Sequence, residues 1–173
     1  MLAMPKRKPY RLTPELVPGN LWGRSAYRML GDKAVWKKKI RPEALAKADG
    51  RCEMCGAEGG RLICHDKWSY DDKKAVAMLI GFEMHCSDCD LVTHFKRMMQ
   101  VADAETVIKA AIMHLCKVNG CKVPVAFAIL TEADEVWATR NKRKWKLTVA
   151  PAVLKTYPEL KGLTTFKPAP IEH

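Results

Sequence analysis

HCSDCDLVTH, residues 85–94, holds two cysteines, two acids and two histidines in ten positions. Cys86 and Cys89 are three apart, and Asp90 and His94 are four apart. A helix opening at Cys86 therefore sets Asp90 and His94 on one face. It also places both thiols at its first turn, where free backbone N–H groups and the helix dipole favour thiolates. Upstream, Cys52-Glu-Met-Cys55-Gly56 supplies a second pair in a tight turn. Two such pairs give four thiolates, the preferred donor set for a structural, tetrahedral Zn²⁺. Cys64, Cys116 and Cys121 fall outside this pattern and read as core residues.

The segment between the pairs predicts a β-hairpin. Residues 61–70, RLICHDKWSY, favour a strand, and Asp71-Asp72-Lys73-Lys74 makes a polar turn. Val76, Met78, Ile80, Phe82 and Met84 then alternate with other residues, the period of a strand with one buried face. A short helix over 73–80 is the competing assignment, because Ala, Met and Leu favour it. Turn, hairpin, then helix is the order of a treble-clef zinc site. The helix carries Leu91, Phe95 and Met98 inward and runs to about Gln100.

Outside this centre the chain is helical or irregular. Pro5, Pro9, Pro14 and Pro18 mark an arm without regular structure. Residues 21–30 predict a short helix or turn, and Asp32 caps a helix through KAVWKKKI that Arg41-Pro42 breaks. Pro42 then starts a helix ending at Gly50. Helices follow over 104–118, closed by Asn119-Gly120, and over 125–141. WKLTV is a short strand, and the proline-bearing tail from Pro151 is an irregular wrap. The expected class is α+β, in four segments: an N-terminal basic arm and short helix (1–35), the zinc-bound core (36–100), a helical extension (101–150) and the tail (151–173).

Hydrophobic residues make up 48% and charged residues 28% of the 173, the composition of a folded domain. No apolar run approaches the length of about 18 residues that a membrane span needs, and MLAMPKRKPY lacks the apolar centre of a secretory signal. The expectation is a cytoplasmic protein with no membrane partner and with reduced or metal-bound cysteines. The net charge of +11 is uneven. Residues 1–51 hold 13 Lys and Arg against 4 Asp and Glu, 52–100 hold 6 against 8, and 101–173 hold 11 against 7. A slightly acidic centre between basic flanks suits a polyanion gripped at the sides of a metal-binding site. Two runs mix cations with tryptophan: Lys37, Lys38, Lys39 and Arg41 beside Trp36, and Arg140, Lys142, Arg143 and Lys144 beside Trp145. These are the candidate nucleic-acid contacts.

In this frame His65 lies in the first hairpin strand and faces the helix pair. Asp90 and His94 would hold a second divalent metal, with Asp66 as a further ligand. His65, or a water it deprotonates, would supply the nucleophile for phosphodiester cleavage. RPEALAKADGRCEMCG, CHDKWSYDD and GFEMHCSDCDLVTH together resemble the zinc-braced HNH (ββα-metal) endonucleases, in particular a bacterial HNH-like group with a Cys-His-Glu-x-Trp-x-Tyr-Asp strand. CHDKWSYDD matches that strand with Asp66 for Glu, and VWATRNKRKWKL is similar to the group's later segment. The resemblance covers most of residues 36–148. It implies a ββα-metal core, DNA as substrate and a second cation such as Mg²⁺, Mn²⁺ or Ni²⁺. Either His65 or Asp66 aligns with the general base. Two positions depart: Gly81 stands where the family has Asn, and Asp90 where it has the first helix His. These departures keep two alternatives open, a catalytically inactive zinc module that binds nucleic acid and a protein-interaction or inhibitor protein on the same scaffold.

Overall fold

The computed structural model describes residues 10–98 and 103–165. From Tyr10 to Pro18 the chain has no regular structure, as its prolines lead one to expect, but it is not loose. Leu12, Leu16 and Pro18 are buried, and the Asn119 amide exchanges two hydrogen bonds with the Leu12 backbone, at 3.0 and 2.7 Å. A 3-10 turn, Gly19–Leu21, leads to α1 (Ala26–Met29), capped by Ser25. Asp32 caps α2 (Lys33–Val35) through the Ala34 N–H at 2.7 Å, as expected.

Pro42 does not break this helix. The chain passes through one π-helical turn, Trp36–Ile40, straight into α3 (Arg41–Lys47). Proline lacks a donor and crowds the carbonyl four residues back. The wider turn, closed by the Arg41 N–H on the Trp36 carbonyl, relieves both problems.

The hairpin forms with the predicted turn, and the alternative helix does not. β1 (Leu62–Asp71) pairs antiparallel with β2 (Val76–Cys86). The predicted inward face of β2 is only half right. Ala77 and Leu79 are buried, Ile80 is 41% exposed, and Phe82 and Met84 are buried. A β-bulge is the cause: Lys67 pairs with Gly81 but Trp68 pairs with Leu79, so Ile80 is an extra residue. One inserted residue exchanges the two faces of a strand with period two. Gly81 has φ +156°, which side-chain-bearing residues rarely adopt.

β2 ends at Cys86, where α4 (Ser87–Thr93) begins. It buries Cys89, Val92 and Thr93, while Leu91 and Phe95 pack partly buried on the core. The helix does not run on unbroken, because His94 leaves helical geometry (φ −102°, ψ 41°) before α5 (Phe95–Met98). The Met98 side chain and Gln100 lie outside the described residues. α6 (Ala104–Asn119) and α7 (Val123–Asn141) match the two predicted helices, with Gly120 as the left-handed terminator between them.

β3 (Lys146–Val149) adds to β2 in parallel, giving a three-stranded sheet of order β1-β2-β3. As far as Thr165 the tail is regular rather than an irregular wrap: Pro151 occupies the first turn of α8 (Pro151–Thr156), and a 3-10 segment, Pro158–Thr165, follows, the rest of the tail lying outside the described residues. Proline is well placed at a helix start, and it was misleading as a sign of irregularity. Leu160 and Leu163 are 0% and 1% exposed and join one apolar cluster with Leu12, Leu79, Met84 and Leu115. The structure is thus α+β, a sheet with helices packed about it.

Leu160→Ala is expected to destabilise the protein by about 2–5 kcal/mol, the range for truncating a fully buried leucine. Denaturant unfolding checks this. A loss below about 0.5 kcal/mol, the ordinary surface range, would place the tail outside the core.

Candidate metal centres

Cys52, Cys55, Cys86 and Cys89 converge, their sulfur atoms all within 4.8 Å of one another. The Cys55 and Cys86 sulfurs are 3.6 Å apart, close to the roughly 3.8 Å expected of two thiolates about 2.3 Å from one tetrahedral ion. The first pair sits in a turn closed by the Gly56 N–H on the Cys52 carbonyl at 2.8 Å. Glu53 fastens this turn to β2 twice. Its N–H donates to the Met84 carbonyl at 2.8 Å, and its carboxylate accepts from the Met84 N–H at 2.7 Å. Burial raises the Cys52 thiol, but backbone N–H groups of Cys55, Cys86 and Met54 outweigh it and bring the group down to about 7. Burial and the neighbouring Cys52 push Cys89 strongly upward. Four such sulfurs ionise together only around a cation, so this donor set fits a metal ion such as zinc. His114 on α6 lies 3.1 Å from the Cys89 sulfur. Nothing in its sequence context flagged this contact, which depends on α6 packing over α4.

A second group lies at the junction of β1 and α4. The Nε2 atoms of His65 and His94 are 3.1 Å apart, and Asp90 Oδ1 is 3.6 Å from His94 Nε2. The three ligand atoms lie within 4.8 Å of one another. His65, Glu83 and His85 form a further group by the same measure, sharing His65. The His65 and His85 rings stack at 4.6 Å and 7°, and Glu83 bridges His85 and Lys67 at 3.1 and 2.9 Å. Burial would raise Glu83, yet its bonds from His85 and Lys67 hold it down to about 2. Burial lowers His65 to about 3, helped by the nearby His94 and His85. The imidazole is therefore neutral at pH 7, with a lone pair to offer. The Nδ1 atoms of His65 and His85 are buried without hydrogen-bond partners among the described residues.

Asp66 does not join these groups. Its Oδ2 accepts the Ala26 N–H at 2.8 Å, and burial pushes the carboxyl up to about 6 against that bond. Glu15, unremarked in the sequence, approaches instead: its Oε2 is 3.9 Å from His65 Nε2, and its N–H donates to the Thr93 carbonyl at 2.9 Å. Burial pushes Glu15 up to about 8, opposed in part by the Tyr70 hydroxyl. Glu15, His65, Asp66, Asp90 and His94 all line one cavity of about 460 Å³.

The expected basic contacts divide. Arg140 forks onto Asp72 at 2.9 and 3.3 Å and lies 4.0 Å from the Tyr70 ring centre, while Arg143 donates to the Asp72 and Lys73 carbonyls. Both hold the hairpin turn. Lys39 donates to the Thr156 carbonyl and Arg41 to the Leu62 carbonyl. Lys37, Lys38, Lys142 and Lys144 are exposed. Trp36 and Trp145 are buried in the core. No single helix among the described residues is long and apolar enough to cross a membrane.

No family model, curated protein or solved structure matches this chain.

Two outcomes are expected. Cys89→Ser should abolish stoichiometric zinc retention through gel filtration, read by metal analysis, and lower the thermal midpoint; unchanged zinc content would refute the four-cysteine centre. Gly81→Asn, which restores a letter of the HNH pattern, should destabilise the fold by about 1–3 kcal/mol in denaturant unfolding. A Cβ meets nothing there within 4 Å, so the backbone angle is the whole penalty. Unchanged stability would mean that the bulge tolerates a side chain.

Proposed function

We propose that this protein is a zinc-stabilised, HNH-like metal-dependent endonuclease that hydrolyses phosphodiester bonds of DNA. In this reading the four cysteines form a treble-clef zinc site that braces the hairpin against α4. The convergence of His65, Asp90 and His94 on one cavity wall carries the proposal. Two nitrogens 3.1 Å apart subtend roughly a right angle at an ion about 2.1 Å from each, a separation that suits ligands sharing one cation. A divalent cation there would supply Lewis-acid polarisation of a phosphoryl oxygen.

The protein's own groups would do the rest. Asp90 brings a hard oxygen donor, which suits Mg²⁺ or Mn²⁺ better than the imidazole it replaces in the family pattern. His94 stands at the end of α4 with its ring beside that carboxylate. His65, neutral and buried, accepts a hydrogen bond from the attacking water or serves as a third ligand. One Asp66 oxygen is held by the Ala26 N–H and the residue stays outside the His65, Asp90 and His94 group, which favours His65 of the two aligned candidates.

The inactive nucleic-acid-binding module remains the second reading, favoured by the engagement of Asp66 and by the glycine at position 81. Cleavage separates the two. Zinc-loaded protein should nick supercoiled plasmid with Mg²⁺, Mn²⁺ or Ni²⁺. His65→Ala and His94→Ala should each reduce the rate about 100-fold or more, with zinc content unchanged. Plasmid and a single-stranded oligonucleotide both left intact with every one of these cations would overturn the hydrolytic reading.

A further inference from the structure

The cavity bearing His65, Asp90 and His94 has another wall that these groups leave unused. Arg24 lines it. Its Nε is buried without a hydrogen-bond partner, and its side chain forms no hydrogen bond or ion pair among the described residues. A buried N–H left unpaired is unfavourable, and the rest of this half-buried guanidinium is open to a ligand. Its fork of donors matches a phosphate group, which would satisfy it.

The same wall holds a fixed aromatic surface. Trp22 stacks on Trp137 with ring centres 6.2 Å apart and planes 22° from parallel. Both indole N–H groups donate to a single acceptor, the Val17 carbonyl, at 2.8 and 3.1 Å. Lys96 Nζ lies 4.2 Å from the Trp137 ring centre. Trp22 is nevertheless 44% exposed. With its polar edge satisfied and its orientation fixed from two sides, what it leaves open is ring surface. Lys96 is also ion-paired with Asp134, so the cation left for a ligand beside this aromatic plane is Arg24, and an exposed ring next to a cation is the kind of surface on which unpaired bases stack.

Access to the reacting groups then limits the substrate. The His65, Asp90 and His94 side chains are 6%, 15% and 25% exposed. A phosphate reaches them only by entering the cavity. At about 460 Å³ the cavity has the size of pockets that enclose one small ligand, roughly 300–1,000 Å³. A base still stacked in a duplex cannot reach the Trp22 ring without leaving the stack.

Resting on the phosphodiesterase reading above, we infer that the cavity receives one nucleotide of an unpaired strand, its phosphate on Arg24 and its base on Trp22. The substrate class is therefore single-stranded nucleic acid, or a locally unpaired stretch of a duplex. Asp90 faces the same space and repels the phosphate, so Arg24 is the group on which binding without added cation depends.

Binding and cleavage are measured separately. Zinc-loaded protein is titrated against a labelled 12-nucleotide strand, as DNA and as RNA, and against the matching DNA duplex. Fluorescence anisotropy is the readout, with no divalent cation added. The single strand, in one or both chemistries, is expected to bind at least about tenfold more tightly than the duplex. Arg24→Gln and Trp22→Leu should each weaken that binding about tenfold and leave zinc content and circular dichroism unchanged. Equal or tighter binding of the duplex overturns the inference, and this comparison needs no variant to fold. Parental affinity in both variants overturns it as well. A single-strand preference lost in both variants, in a protein that cleaves nothing when Mn²⁺ is added, upholds the pocket and rejects the hydrolytic reading alone.

Discussion

Four cysteine sulfurs within 4.8 Å of one another are the constraint from which the rest of the site follows. Without a cation, thiolates at that separation repel, and burial already drives Cys89 toward its neutral form. With one, the turn at Cys52 and Cys55 is tied to the end of β2 and the start of α4. That tie decides where His94 and Asp90 stand, because both lie within two turns of Cys89. His65 lies on the neighbouring strand, three residues along from Leu62, which pairs with Cys86. The 3.1 Å approach of His65 to His94 is thus a consequence of register and of the cysteine cluster acting together. A hydrogen bond between the two Nε2 atoms accompanies it.

The bulge at Ile80 and Gly81 adjusts that register. An unbroken strand would keep one face inward from Val76 to Met84 and would turn Phe82 or Leu79 toward solvent. The extra residue lets Ala77 and Leu79 pack near β3 and Phe82 pack against Trp36 and Tyr157. The glycine at this point has a structural reason that the family comparison alone could not supply. The HNH pattern at position 81 reads as a missing functional letter, whereas the fold reads it as a backbone angle few other residues adopt.

These elements also show what sequence could reveal. The hairpin turn, the α4 start, α6, α7 and the Gly120 stop were legible because each depends on local chemistry: capping, spacing and period. The four cysteines were legible because metal geometry imposes the spacing within each pair. The bulge was not, since alternation over 76–84 is equally consistent with either face in any short window. The helical tail was hidden by prolines that can mark a helix start as well as a break. Glu15 was hidden more thoroughly. It lies 50 residues from His65 in a proline-rich arm, and only the docking of Leu12 onto Asn119 and of the Glu15 N–H onto Thr93 brings it in. The arginines at 140 and 143 show a second use of charge that composition did not reveal. A basic run looked like a nucleic-acid surface, yet two of its members serve the Asp71–Lys74 turn.

The ionisable groups around the cavity are hard to explain by stability alone. Glu15 and Asp66 are held well above their ordinary values by burial, and His65 well below its own. Each shift records an environment that opposes the charged form. Two buried imidazole nitrogens lack partners among the described residues. An apolar core of similar volume would avoid all of these penalties, and the adjacent core, built from Leu79, Met84, Val92 and Leu115, does so. Apart from the buried Tyr70 hydroxyl on β1, the penalties in the sheet and α4 gather along the wall where His65 meets His94. Such a local exception within an otherwise consistent fold coincides with the groups to which the proposed chemistry is assigned.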